Sequence, residues 1–144
     1  MIHQIEQCTA RMASGPDRAR LTGLTILVVE DEDDSREVMT MFLRHFGALV
    51  IATALPAEAL TMLQTFTPDI IVADLAMPGM TGTEMLQEIH RRRGEDQRAI
   101  PAIAYTAHTH LRDTAREAGF QAYLVKPSEP EDIANEIARL TGRG

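Results

Sequence analysis

Residues 25–31 read Thr-Ile-Leu-Val-Val-Glu-Asp, and this stretch decides the fold. Its first five residues form a compact run rich in β-branched side chains, which is typical of a strand buried on both faces of a sheet. A helical pattern follows, with Asp34 or Ser35 as the expected capping residue, and it ends at Gly47. A buried strand followed closely by a helix predicts one unit of a parallel sheet covered by helices.

The same alternation of strand and helix runs through the rest of the chain. Further strands are predicted at 48–52, 69–73, 100–105 and 122–125. Further helices are predicted after Pro56, around Met85 to Ile89, over about 109–118 and after Pro130. A closed barrel of parallel strands needs about 200 residues or more, whereas this chain has 144. We therefore expect an α/β fold: a doubly wound, five-stranded parallel sheet with helices on both faces.

Composition limits the classes of partner and compartment. The formal net charge is −7, which argues against direct contact with nucleic acid or with an anionic membrane surface. Cys8 is the only cysteine, so no internal disulfide is expected and a reducing cytoplasm is favoured. The N-terminus lacks the pattern of a signal peptide, and no run is apolar enough to span a bilayer. We expect a short extension over 1–23 and one domain over 24–144.

Polar side chains stand at the predicted carboxyl ends of four strands, where the ligands of such sheets bind. These residues are Glu30 and Asp31 after the first strand, Asp74 after the third, Thr106 after the fourth and Lys126 after the fifth. If the first and third strands are neighbours, three carboxylates converge and repel one another unless a cation lies between them. Mg²⁺ prefers such oxygen ligands, so a Mg²⁺ site is predicted. The alternative is a solvated acidic helix start, which explains Asp33 and Asp34 well and Asp74 poorly.

Lys126 is the only lysine among the 14 lysine and arginine residues. A compact ammonium on a flexible stem can reach into a small site beside a metal, where a planar guanidinium would compete for space. The ammonium, the Thr106 hydroxyl and the metal would divide the oxygens of a phosphoryl group between them. The pattern therefore favours phosphoryl chemistry. The alternatives are an ordinary snorkelling lysine and, for Thr106, a helix N-cap.

Four ordered motifs resemble those of one known family. They are ILVVEDEDDSRE at 26–37, PDIIVADLAMPGMTG at 68–82, IPAIAYTAH at 100–108 and AYLVKP at 122–127. On these stretches the chain, from about 24 to 140, resembles the receiver domain of two-component response regulators. The resemblance implies a flavodoxin-like fold with strand order 2-1-3-4-5. A single-domain regulator is expected, because the chain ends shortly after the last predicted helix.

The resemblance also implies the residues of the site. Asp74 is the expected point of phosphorylation. The expected ligands of Mg²⁺ or Mn²⁺ are the carboxylates of Glu30, Asp31 and Asp74 and the backbone carbonyl of Ala76. The family often has two aspartates where this chain has Glu30 and Asp31, and we expect metal binding to survive the longer side chain.

A conformational switch is implied as well. Thr106 and Lys126 are expected to contact the phosphate, and Tyr123 is expected to turn inward when Thr106 moves. Ala76 and His108 are the candidate modulators of the phosphate lifetime. The peptide bond after Lys126 is often cis in the family.

The implied partners are proteins. A histidine kinase, a hybrid kinase or a phosphotransfer protein is expected as the phosphoryl donor. A downstream target is expected to dock on the fourth helix, the fifth strand and the fifth helix, and a homodimer is left open. The domain is not expected to be an enzyme beyond catalysing its own phosphorylation and dephosphorylation.

Three other functions compete with this interpretation. A Mg²⁺-dependent phosphatase with an aspartate nucleophile usually wants a second aspartate two residues later, where this chain has Ala76, and a substrate cap for which the loops are too short. A carrier of FMN would need a loop rich in Ser, Thr or Gly after the first strand, where residues 30–34 are acidic. A protein-contact module that works without phosphorylation is the third alternative.

Overall fold

The computed structural model describes residues 20–94 and 99–143. The predicted extension over 1–23 falls mostly outside these residues. Within its described end, Leu21 is fully buried, and the backbone N–H of Leu21 donates to the Phe46 carbonyl at 2.8 Å. The packed region therefore already includes Leu21, which precedes the predicted boundary at residue 24.

Five strands alternate with five helices in the described part of the chain. The strands are β1 (Thr25–Val29), β2 (Leu49–Thr53), β3 (Ile70–Ala73), β4 (Ala102–Thr106) and β5 (Ala122–Val125). The helices are α1 (Asp33–His45), α2 (Pro56–Met62), α3 (Gly82–Arg93), α4 (Arg112–Ala118) and α5 (Pro130–Leu140). None of these helices is long and apolar enough to cross a membrane.

The strands form one parallel sheet in the order β2-β1-β3-β4-β5, which confirms the expected topology. Val29 at the end of β1 pairs with Thr53 of β2 on one side and with Ala73 of β3 on the other. Glu30 and Asp74 directly follow Val29 and Ala73. The register of the sheet therefore brings these two acids to the same edge.

Apolar side chains fill a layer on each side of the sheet. On β1, Ile26 and Val28 pack in the layer under α1 and α5, while Leu27 and Val29 pack in the layer under α2, α3 and α4. This alternation across one strand confirms that helices cover both faces. Each fully buried Ile or Leu side chain contributes roughly 1.5–3 kcal/mol to the stability of the fold relative to an exposed one. Both layers therefore hold the strand ends in place.

Three element boundaries in the fourth βα unit differ from the predictions. Strand β4 begins at Ala102 rather than at residue 100, because Pro101 has no N–H to donate and only its carbonyl joins the sheet, accepting from Ile71 at 2.9 Å. The strand extends through Thr106, and α4 begins at Arg112 after the N-cap residue Leu111. The alternative that Thr106 caps a helix is therefore wrong.

The start of α1 also differs from the prediction. Its N-cap residue is Glu32, with φ −80° and ψ 120°, and no side chain caps the helix there. The expected capping by Asp34 or Ser35 is therefore wrong. The Ser35 hydroxyl instead donates to Glu30 Oε1 at 2.9 Å, so it is engaged by the acidic strand end and not by the helix backbone.

Candidate functional site

Three carboxylates meet at the carboxyl edge of β1 and β3. One oxygen from each of Glu30, Asp31 and Asp74 lies within 4.8 Å of the other two. Glu30 and Asp74 are only 5% and 9% exposed, and Asp31 is half-buried. Carboxylates this close repel one another unless a positive charge lies among them. The predicted convergence is thus observed, and the oxygen donors suit a hard divalent cation.

Lys126 brings a positive charge into this cluster. The residue follows β5, and its backbone N–H donates to the Thr106 carbonyl at 2.8 Å. Its ammonium contacts Glu30 Oε1 and lies 3.0 Å from Asp74 Oδ2. Burial alone would lower the pKa of the ammonium, but the hydrogen bonds to Glu30 and Asp74 outweigh burial and hold the pKa above its ordinary value. Lys126 is therefore a cation at neutral pH.

Local contacts orient the Glu30 side chain. Ser35 Oγ donates to Oε1 at 2.9 Å, and the backbone N–H of Glu32 donates to Oε2 at 3.2 Å. Burial raises the pKa of Glu30 above its ordinary value, while the hydrogen bond from Lys126 acts in the opposite direction. Sequence reasoning missed the Ser35 contact. The available signal was a hydroxyl in the first turn of the helix that follows an acidic strand end.

The Asp74 backbone is packed against the start of α3. The backbone N–H of Ala76 donates to Asp74 Oδ1 at 3.1 Å. The N–H of Gly82 donates to the Leu75 carbonyl at 3.0 Å, and a Cβ on Gly82 would overlap the Asp74 carbonyl. Glycine at position 82 therefore permits the close approach that holds the Asp74 loop.

Thr106 lies at the same edge, but its hydroxyl bonds to the loop after β4 rather than to a carboxylate. The backbone N–H of His108 donates to Thr106 Oγ1 at 3.3 Å. The Tyr123 hydroxyl donates to the His108 carbonyl and accepts from the Leu111 N–H at 3.3 Å. The Tyr123 ring is buried, with the Arg112 guanidinium 4.9 Å from its centroid. A chain of hydrogen bonds thus links Thr106 to Tyr123 through the backbone of His108.

The other acids at the start of α1 lie outside the cluster. The Asp33 side chain is 86% exposed and pairs with Arg36 at 2.7 Å. Asp34 is also exposed. Both fit the alternative of a solvated acidic helix start. They do not explain the buried acids next to Lys126.

Comparison with known proteins decides the family. The family model of the response regulator receiver domain matches residues 26–138. This chain belongs to the response regulator receiver domain family. The fold and family that the four motifs implied are therefore confirmed. Members of this family are regulators, and phosphoryl transfer is their typical chemistry.

Relatives of this receiver domain differ in length. A 14.6 kDa protein of Leptolyngbya boryana, encoded in the sodA1 3′ region, is 36% identical over 116 residues, which cover 78% of this chain and 86% of that protein. The Regulator of RpoS of Escherichia coli K12 is 35% identical over 109 residues, which cover 74% of this chain. The match covers 31% of that regulator's own length.

Solved receiver domains share the fold. The receiver domain of a sensor histidine kinase from Pseudomonas aeruginosa PAO1 is 30% identical, with a TM-score of 0.75 over 84% of this chain and 98% of that one. That structure has a magnesium ion coordinated in its active site cleft. The chemotaxis response regulator CheY4 of Vibrio cholerae is 28% identical, with a TM-score of 0.73 over 83% of this chain and 99% of that one.

Proposed function

We propose that this receiver domain accepts a phosphoryl group on Asp74 from the phosphohistidine of a histidine kinase, a hybrid kinase or a phosphotransfer protein. The observation that carries the proposal is the Lys126 ammonium 3.0 Å from Asp74 Oδ2, inside the cluster of three carboxylates. Burying several charges together is a poor way to stabilise a fold. It suits a site where the charge of a transferring phosphoryl group must be stabilised.

In the proposed reaction, a carboxylate oxygen of Asp74 attacks the phosphorus in line with the bond to the histidine nitrogen. The P–O bond forms as the P–N bond breaks, and the electron pair of the broken P–N bond stays on the imidazole nitrogen. Lys126 stabilises the charge on the phosphoryl oxygens. Water later attacks the same phosphorus, releases inorganic phosphate and restores the Asp74 carboxylate. The domain thus catalyses only its own phosphorylation and dephosphorylation.

The oxygen donors around Asp74 fit Mg²⁺ or Mn²⁺. We expect the carboxylates of Glu30, Asp31 and Asp74 and the backbone carbonyl of Ala76 to hold the ion, directly or through water. When bound, the cation neutralises negative charge on the phosphoryl oxygens. The magnesium ion in the cleft of the Pseudomonas aeruginosa receiver domain supports this assignment.

The hydrogen-bonded chain from Thr106 to Tyr123 is the proposed switch. If the Thr106 hydroxyl turns to the phosphoryl group, it leaves the His108 N–H, and the loop that Tyr123 holds can rearrange. That loop leads into α4, so the surface formed by α4, β5 and α5 changes shape. Ala76 and His108 are proposed modulators of the phosphate lifetime, because Ala76 offers no side chain to shape the attack of water and His108 stands two residues after Thr106. Their backbone N–H groups donate to Asp74 and Thr106, which places both residues next to the site.

The output of the domain is proposed to be a protein partner on the α4, β5 and α5 surface. The net charge of −7 of the whole chain favours a protein partner over nucleic acid, although DNA-binding response regulators such as MtrA of Mycolicibacterium smegmatis are among its relatives. A homodimer through the same surface is compatible with this proposal. We also propose a cytoplasmic location for the protein, as the sequence predicts.

Intact mass spectrometry tests the function. The protein is incubated with acetyl phosphate or phosphoramidate, with and without Mg²⁺. We expect the wild type to gain one phosphoryl group only with Mg²⁺, and Asp74→Asn to gain none. Asp33→Asn is the matched control, because Asp33 is an exposed acid of the same region outside the cluster. Equal labelling of wild type and Asp74→Asn would refute the assignment of Asp74.

A further inference from the structure

Tyr105 lies beside Lys126 as a consequence of the sheet geometry. The residue precedes Thr106 on β4 and pairs with Leu124 of β5. Its side chain packs against the layer under α1 and α5, on the opposite side of the sheet from Thr106. The Lys126 ammonium lies over the Tyr105 ring, 5.5 Å from the ring centroid. This separation is within the range of a cation–π contact.

The Tyr105 hydroxyl touches the same loop at a second point. The backbone N–H of Ser128 donates to the Tyr105 hydroxyl oxygen at 3.4 Å, and the Ser128 hydroxyl donates to the Val125 carbonyl at 2.8 Å. Tyr105 therefore contacts both the ammonium of Lys126 and the backbone two residues later. These contacts restrict the path that the Lys126 side chain takes from β5 to the carboxylates.

We propose that Tyr105 is a positioning residue for Lys126. The face of the Tyr105 ring holds the Lys126 ammonium between Glu30 and Asp74. This inference rests on the proposed function, because it assigns Tyr105 a part in phosphorylation of Asp74.

A lysine alone does not fix its own position in such a site. Its stem is flexible, and its three N–H donors have no preferred plane. Glu30 and Asp74 pull the ammonium toward two different oxygens. The negative face of an aromatic ring attracts a cation, more strongly when the cation is shielded from water, and the Lys126 side chain is 16% exposed. The ring therefore adds a third contact from a different direction.

Three variants separate the ring face, the hydroxyl and the packing. Tyr105→Phe keeps the ring and removes the contact to Ser128. Tyr105→Leu keeps apolar bulk and removes the ring. Ile103→Val is the matched control for packing, because Ile103 is fully buried on the same strand and in the same layer. Each variant is made in the full chain.

Two measurements are compared across the variants. Since Lys126 is the only lysine, protein labelled with ¹³C-lysine gives one set of side-chain NMR signals, and the ring current of Tyr105 shifts its ε protons upfield. The second measurement is the rate of Asp74 phosphorylation by acetyl phosphate with Mg²⁺. We expect Tyr105→Leu to lose the upfield shift and to slow roughly 3–10-fold. Tyr105→Phe and Ile103→Val should keep the shift and stay within about two-fold of the wild-type rate.

Several outcomes would overturn the inference. An unchanged rate in Tyr105→Leu rejects a positioning role, whatever the Lys126 signal does. A Tyr105→Phe protein as slow as Tyr105→Leu assigns the effect to the hydroxyl rather than the ring face. If Ile103→Val slows phosphorylation as much as Tyr105→Leu does, the effect comes from lost stability and not from the position of Lys126. A wild type that takes up no phosphoryl group refutes the proposed function, and the Lys126 signal then decides by itself whether Tyr105 holds the ammonium.

Discussion

At the scale of single residues, the site depends on one ammonium placed among carboxylates. Lys126 reaches Glu30 and Asp74 with a side chain that is 16% exposed. The ammonium is small enough to contact both acids at once, whereas a guanidinium is planar, wider and directs its donors in a rigid fork. The type of cation therefore matters at this position, and its charge alone is not sufficient.

Lys126→Arg is expected to slow phosphorylation of Asp74 by about ten-fold or more, although the charge is kept. The initial rate with acetyl phosphate and Mg²⁺ is measured by intact mass. The matched control is Arg116→Lys, an exchange at a side chain that is 73% exposed and pairs with Asp113 at the surface. A Lys126→Arg protein that reacts at the wild-type rate would show that charge suffices.

Some site residues could be predicted from the sequence and others could not. Asp74 and Lys126 each directly follow an apolar strand, so the sheet topology alone places them at one edge. Ser35 and Tyr105 act through side-chain directions that emerge only when α1 and β4 pack around the site. The sequence suggested Ser35 as a helix cap, but the Ser35 hydroxyl donates a hydrogen bond to the buried Glu30 carboxylate instead.

At the scale of elements, α3 anchors the loop that carries Asp74. A capping box begins the helix: the Glu84 N–H donates to Thr81 Oγ1 at 3.1 Å, and the Thr81 N–H donates to Glu84 Oε1 at 3.0 Å. Gly82, the first residue of α3, lies against the Asp74 carbonyl. The helix start and the Asp74 loop therefore form one packed unit.

Gly82→Ala is expected to lower the free energy of unfolding by about 1–3 kcal/mol, because its Cβ would force α3 away from the Asp74 backbone. Urea denaturation measures the loss. Thr83→Ala, one residue further along α3, is the control and should change stability little, since alanine favours a helix. If the urea midpoint of Gly82→Ala equals that of the wild type, α3 does not constrain the Asp74 loop.

The end of α3 carries a pH-dependent contact. Glu88 accepts hydrogen bonds from Arg91 at 3.0 Å and Arg92 at 2.9 Å, which lower the pKa of Glu88 from 4.5 to about 2. A carboxyl whose pKa is lowered in the folded state adds stability above its unfolded pKa, and this stability is lost as pH falls toward the folded value. The effect is small because the arginines are exposed.

Glu88→Gln tests this contact through thermal unfolding at several pH values. We expect the wild type to have the higher Tm near pH 5, and the difference to shrink as pH falls to about 2. NMR titration of the Glu88 carboxyl in the wild type should give a pKa near 2. A difference in Tm that does not vary with pH would argue that Glu88 is not ionically paired in solution.

At the scale of the whole molecule, the sheet connects the proposed phosphorylation site to the surface formed by α4, β5 and α5. Asp74 follows β3, Thr106 ends β4, and Tyr123 lies on β5 beneath the loop that leads to α4. The five-stranded topology could be predicted because each apolar run is followed by helical spacing. The start of α4 could not be predicted, because the backbone groups of His108 and Leu111 form hydrogen bonds with Thr106 and Tyr123.

Chemical identification of the phosphorylated residue tests the central claim most directly. Borohydride reduces an acyl phosphate to an alcohol, so a phosphorylated aspartate becomes homoserine, whereas free carboxylates do not react. After incubation with acetyl phosphate and Mg²⁺, we predict that peptide mapping finds homoserine at position 74 and an unmodified Asp31. Homoserine at position 31, or no reduction product from a folded protein that binds Mg²⁺, would contradict the account.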